Sequence, residues 1–193
     1  MKYFLTFIFL FVFCCFAQAG DKTLQEYAAA INKVNTLKSA FKEEKHLSLL
    51  SQPIESEGFL LFDKKAQKLL WQYQKPFDNG FLIEKDFIFR IKNGQKQQVQ
   101  NAAGKIMAAQ MLIWLTLDFD SLKQNYAITL NRNEIVFVPL KPHKVIKQIT
   151  VYPDENNPQI IKQVKMTQPG GDFILWSFTD TEINPEIKKE VFE

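Results

Sequence analysis

The sequence predicts a mainly β protein with some α: a long antiparallel sheet, curled into a barrel or part-barrel under a helical lid. Three observations predict it. Residues 56–91, SEGFLLFDKKAQKLLWQYQKPFDNGFLIEKDFIFRI, read as four short strands in series, separated by charged or Gly/Pro turns. From Asn125 onward, strand-like runs recur at roughly ten-residue spacing between turn-forming residues. Two helical patterns accompany them, one at the start and one in the middle. A long antiparallel sheet twists and tends to curl, and helices placed this way suit a lid over an open barrel.

Residues 1–19 read as a targeting segment. Lys2 gives a positive start, Tyr3 to Phe16 is nearly unbroken apolar sequence, and Ala17-Gln18-Ala19 offers small residues to a signal peptidase. Cleavage after Ala19 is expected, leaving one domain over residues 20–193. The apolar run is shorter than the about 20 residues that a membrane span needs. Cys14 and Cys15, the two cysteines of the chain, both lie in this segment. The processed chain therefore has no disulfide, and its stability must come from a core. Lipidation on one of these cysteines would want small residues before it, and Phe13 is bulky.

Residues 23–37 form the first predicted helix. Leu24, Tyr27, Ala28, Ile31 and Val34 fall on one stripe, with Asp21 or Thr23 as cap and Glu26 three residues after Thr23. It is either an ordinary core helix or a plug at one mouth of a curved sheet. The first strand is expected within 38–50, with Phe41, Glu43, Lys45 and Leu47 on one face. Glu57 to Phe62 follows, then Lys68 to Gln74, where Leu69, Trp71 and Tyr73 alternate with Leu70, Gln72 and Gln74. Pro76 stops that strand. Gly80 to Glu84 and Phe87 to Lys92 are the next two.

Residues 101–116, NAAGKIMAAQMLIWLT, have helical composition, and 118–124 reads as a further helical turn. Met107, Met111, Trp114 and Leu115 share a broad stripe, which is either plain core or a soft surface for flexible apolar ligands. Five more strands are expected at 125–131, 134–140, 147–153, 160–168 and 172–179.

Acidic and basic residues alternate closely at a formal charge of +3, so no nucleic-acid stripe is present and no nucleic-acid partner is expected. His46 and His143 are isolated from each other and from any cysteine of the processed chain. No metalloprotease, nucleophile-elbow, P-loop or dinucleotide motif occurs. Glu43 and Glu44 are strand neighbours on opposite faces, the wrong placement for a cooperating pair. No enzyme, metal or cofactor is expected.

With those residues in place, the chain resembles the LolA family of periplasmic lipoprotein carriers. The resemblance runs from the amphipathic helix and Ser39-Ala40-Phe41 through Gly58-Phe59-Leu60 to the run Leu69-Leu70-Trp71-Gln72-Tyr73-Gln74-Lys75-Pro76. It continues through the central helices, Lys147-Gln148-Ile149 and a final segment with Asn184 ahead of Phe192. It implies an incomplete antiparallel barrel, a helical lid and an apolar cavity between them. The implied role is a soluble, monomeric periplasmic chaperone that carries lipoprotein acyl chains from the inner to the outer membrane. The implied partners are an inner-membrane releasing complex and an outer-membrane acceptor. The alternatives are a carrier of another lipid or glycolipid, or a membrane-anchored acceptor of similar fold. Where relatives keep a latch arginine, this chain has Lys65, a point charge in place of a planar fork. The expected cavity comprises Phe59, Leu61, Leu69, Trp71, Tyr73, Phe81, Ile83, Ile174, Trp176 and Phe178 from strands, and Met107, Met111, Trp114 and Leu115 from the central helix.

Overall fold

The computed structural model describes residues 23–85, 87–100 and 119–192. The targeting segment 1–19 and the central helix expected at 101–116 lie outside the described residues.

Eleven strands form one curved, unclosed antiparallel sheet. They are β1 (Thr36–His46), β2 (Ile54–Asp63), β3 (Lys68–Lys75), β4 (Asn79–Glu84), β5 (Phe87–Lys92), β6 (Gln95–Gln98), β7 (Tyr126–Asn131), β8 (Glu134–Pro139), β9 (Gln148–Pro153), β10 (Ile161–Thr167) and β11 (Phe173–Ile183). The spatial order is β6-β5-β4-β3-β2-β1-β11-β10-β9-β8-β7. The first and last strands therefore pair in the middle, and β6 and β7 form the two edges. The connection between those edges is residues 99–125, which include α2 (Phe119–Lys123). A 3-10 turn, Lys189–Phe192, ends the described chain.

The first helix, α1, is Leu24–Ile31, and the expected capping box forms between Thr23 and Glu26. It is shorter than the expected span to residue 37. Thr36 and Leu37 pair instead with Asp63 and Phe62 of β2, and Leu37 also pairs with Ile183 of β11. The long-range ladder outweighs local helical pattern there. Asn184 secures the same junction: its Oδ1 accepts from the amides of Asn35 at 2.7 Å and Thr36 at 3.3 Å, and its Nδ2 donates to Lys33 O.

Ten strands were expected, and the extra one is β6. Its four residues are all exposed and carry no apolar alternation, so periodicity had nothing to detect. The Asn93-Gly94 turn, both residues at positive φ, folds it onto β5. β11 also runs past the expected residue 179. It continues through a bulge opposite Lys38–Ala40, with Asp180 in the left-handed region at φ 50°.

Tyr27 and Ile31 of α1 and Phe119 and Leu122 of α2 pack on one face of β7–β9, against Ile135, Phe137, Ile149 and Val151. The same face of β1–β5 carries Phe41, Leu60, Phe62, Leu69, Trp71, Ile83 and Ile88. The other face of β2–β4 is also buried. There Leu61, Leu70 and Leu82 meet Phe192 and Ile187 of the C-terminal segment.

Candidate functional site

Cross-strand partners in an antiparallel ladder lie on the same face. Register therefore assigns each residue. Trp71 pairs with Leu60 and Phe81, and Leu69 with Phe62 and Ile83. Phe41 pairs with Gly58 and Phe178, and Glu43 with Trp176. Lys45 pairs with Ile174. Leu69, Trp71, Tyr73, Phe81, Ile83, Ile174, Trp176 and Phe178 thus share one face, as expected.

That face is the concave one. Trp71 on β3 and Phe178 and Trp176 on β11 are three strand spacings apart, roughly 14 Å on a flat sheet. Their ring centroids are 6.2 and 6.5 Å apart, both edge-on. Only a sheet curled toward these rings brings them together. Phe41 fills the interior of the curve, 4.4 Å from the Trp71 ring and edge-on to Tyr73 at 5.2 Å. Gly58 makes the room: a Cβ there would stand 2.8 Å from Phe41 Cζ and 2.0 Å from Gln72 O.

Phe59 and Leu61 are corrections. They were expected beside Trp71, but they pair with Gln72 and Leu70 and so lie on the convex face. Leu61 packs there with Leu70, Leu82 and Phe192, and Phe59 lies against the same cluster. The reason is the register of the β2–β3 hairpin, which sets Asp63 opposite Lys68 and so puts Leu60 and Phe62 opposite Trp71 and Leu69. Leu60 and Phe62 take the concave positions. Met107, Met111, Trp114 and Leu115 lie outside the described residues.

A buried carboxylate sits within the concave aromatic wall. Glu43 is 2% exposed, and its Oε2 accepts hydrogen bonds from Tyr73 Oη and Trp176 Nε1, both at 2.7 Å. Its Oε1 accepts no well-directed hydrogen bond but faces Lys45 Nζ at 3.0 Å as an ion pair. Burial, then the adjacent Glu43 charge and hydrogen bond, push the Tyr73 phenol well above its ordinary value; the Trp71 and Trp176 indoles act in the opposite sense. Trp71 Nε1 itself is buried with no hydrogen-bond partner among the described residues. The sequence placed Glu43 on the Phe41 face, and that alternation was the signal for it. Its two aromatic donors lie 30 and 133 residues away, which no local pattern reveals.

Lys65 is exposed in the turn between β2 and β3 and forms no hydrogen bond or ion pair with the described residues. The lysine that ties this turn to α1 is Lys64, whose Nζ donates to Asn32 O at 3.2 Å and whose amide donates to Asn35 O. A cavity of about 30 Å³ separates the end of α1 from the concave face, bounded by Ile31, Val34, Leu37, Phe62 and Phe178 among others. It suits a water molecule rather than an acyl chain. A second opening, about 290 Å³, lies between α2 and residues 139–143, outside the aromatic wall.

The family model described as outer membrane lipoprotein carrier protein LolA matches residues 32–193. No curated protein sequence matches the chain. Among solved structures, an uncharacterized conserved protein from Thermus thermophilus aligns with a TM-score of 0.55 at 8% identity, over 88% of this chain and 92% of that one. The Pseudomonas aeruginosa MucA/MucB complex aligns with a TM-score of 0.54 at 11% identity, over 88% of this chain. This chain spans 59% of the length of that protein. A LolA superfamily protein from Nitrosomonas europaea aligns with a TM-score of 0.45 at 8% identity, over 89% and 98% of the two chains. At these identities the likeness is one of fold.

Proposed function

The chain belongs to the LolA family, and on that footing we propose that it is a periplasmic carrier of acylated cargo, exported through residues 1–19. The cargo's acyl chains lie against the concave face, and the leading cargo is a lipoprotein moved from the inner to the outer membrane. The observation that carries this reading is the apolar wall of Phe41, Leu60, Leu69, Trp71, Trp176 and Phe178 on one curled face. Hiding an acyl chain from water is worth about 0.8 kcal/mol per methylene. A surface of this kind supplies that without chemistry, and cargo leaves again when the cover moves. Lipid contact at Leu69, Trp71, Tyr73, Phe81, Ile83, Ile174, Trp176 and Phe178 is part of the proposal, as is contact with Met107, Met111, Trp114 and Leu115 of the central segment. Phe59 and Leu61 are not included.

A brominated fatty acid reports contact directly, because bromine quenches tryptophan emission at short range. Titration should quench the native protein, and Trp176→Phe should remove part of that quenching while leaving the fold intact by circular dichroism. Mass spectrometry of protein purified from native periplasm then distinguishes a lipoprotein from a glycolipid. Absence of both quenching and co-purified lipid would sink the carrier reading.

A further inference from the structure

Strand direction sorts the turns onto two rims. The 47–53 turn after β1 shares a rim with turns 76–78, 93–94, 140–147 and 168–172. The opposite rim carries 32–35, 64–67, 132–133 and 154–160.

The rims expose different surfaces. Leu49 is 94% exposed and Phe77 is 71% exposed, both in turns of the first rim. Leu50, Ile54, Leu140 and Val145 are also exposed there. On the opposite rim the exposed large hydrophobic among the described turn and strand-end residues is Phe87 at the start of β5, with Val191 also exposed in the C-terminal segment that leaves β11 there. Charge differs in its distribution and not in its sign: the turns of the opposite rim spread Lys33, Lys64, Lys65 and Arg132 among Asp154 and Glu155, whereas on the first rim the cations are gathered in one loop. Residues 140–147, LKPHKVIK, hold three lysines and a histidine and no acid, and the 47–53 turn is uncharged. The turn acids of this rim lie outside that loop and keep their charge: Asp172 accepts from the Ser48 amide at 2.7 Å, and Asp78 from Gln72 Nε2.

The basic loop is held in shape. His143 Nδ1 accepts from the amides of Val145 at 3.2 Å and Ile146 at 3.0 Å. Ile146 is buried in the core, so Val145 stays exposed beside Lys144. Exposed apolar tips beside lysines that form no ion pair among the described residues are the composition that partitions to a negatively charged lipid interface.

We propose that this rim docks on the surface of an anionic phospholipid bilayer. Leu49 and Phe77 enter the headgroup boundary, and Lys141, Lys144 and Lys147 meet lipid phosphates. The inference rests on the exposure and charge of the rim and not on what the concave face carries.

The test is flotation of the exported protein with vesicles of phosphatidylglycerol and phosphatidylcholine, against phosphatidylcholine alone. Binding should favour the anionic vesicles and weaken as salt rises. Replacing the three loop lysines with alanine should weaken it by about 100-fold, from roughly fivefold per lysine. Leu49→Glu with Phe77→Glu, both at exposed turns and so compatible with folding, should abolish it. Arg132→Glu on the opposite rim should leave it unchanged. Quenching by the brominated fatty acid should survive in all of these variants, which separates docking from carriage. No vesicle binding by the native protein overturns the proposal, and that is the result a rim serving a protein partner would give. Equal binding to both vesicle types, or undiminished binding by the Glu variants, overturns it too.

Discussion

The two halves of the sheet are buried differently. In β7 and β8, one side chain in two faces the core: Ile135 and Phe137 are fully buried, while Val138 between core and turn is 42% exposed. In β2, β3 and β4 consecutive residues are buried, as in Leu60-Leu61-Phe62, Leu69-Leu70-Trp71 and Leu82-Ile83. The first pattern marks a sheet covered on one side. The second marks a sheet covered on both. The second cover is the chain's own C-terminal segment, through Ile187 and Phe192. Lys96 Nζ donates to Phe192 O at 2.7 Å and helps hold it there. A contiguous apolar run therefore reports two covers, and only the concave one belongs to the candidate site.

The comparison breaks most directly at the second cover. Phe192→Ala should cost about 3–5 kcal/mol of unfolding free energy, and Leu82→Ala about 2–5 kcal/mol. Val138→Ala in the one-sided half should stay within about 0.5 kcal/mol. Urea denaturation measures all three. Equal midpoints for Phe192→Ala and Val138→Ala would mean that the C-terminal segment does not seal the convex face.

Gly58→Ala tests the concave side of the same half. The obstacle is a backbone oxygen, which cannot swing away, so a loss of about 3 kcal/mol is expected, at the upper end for overpacking. Thermal unfolding with the same baseline spectrum as the parent checks it. A neutral result would place the Gln72 carbonyl of β3 farther from Gly58 than the structure does.

Tyr73→Phe sharpens the comparison by removing one donor to the buried Glu43 carboxylate, at a cost of about 2 kcal/mol near neutral pH. Its pH dependence is more diagnostic. The folded phenol is raised above the ordinary value of 10.0. Above pH 10 the unfolded chain releases this proton while the folded chain keeps it, so stability falls as pH rises. The variant should lose less stability than the parent between pH 9 and pH 11. Some alkaline loss should remain, because Tyr27, Tyr126 and Tyr152 are also raised. Identical alkaline slopes would mean that the Tyr73 phenol is neither buried nor set against Glu43 as the structure has it.

The smallest effects are expected at the 64–67 turn. Lys64→Ala should cost about 0.3–1 kcal/mol through the carbonyl at the end of α1. Lys65→Ala should cost no more than about 0.5 kcal/mol, and acyl-probe transfer by that variant should change only modestly. A complete loss of transfer would make Lys65 a latch in its own right.

The sequence by itself determined the mainly β class, ten of the eleven strands, the capping box of α1 and the alternation of Leu69, Trp71 and Tyr73. Each is written in neighbouring residues, as a period of two, a turn residue or a spacing of three. Tertiary structure alone decided which face of β2 joins that alternation, because the register of the β2–β3 hairpin puts Leu60 and Phe62, not Phe59 and Leu61, opposite Trp71 and Leu69. It also decided that α1 yields at Ile31 to a ladder with β2 and β11, and that four exposed polar residues become β6. Glu43 became a buried acceptor for Tyr73 and Trp176 only when β1 stood between β2 and β11. The physical reason is common to all of these. Periodicity is a property of one strand, whereas register, curvature and the pairing of a buried charge are properties of two strands brought together from far apart in the chain.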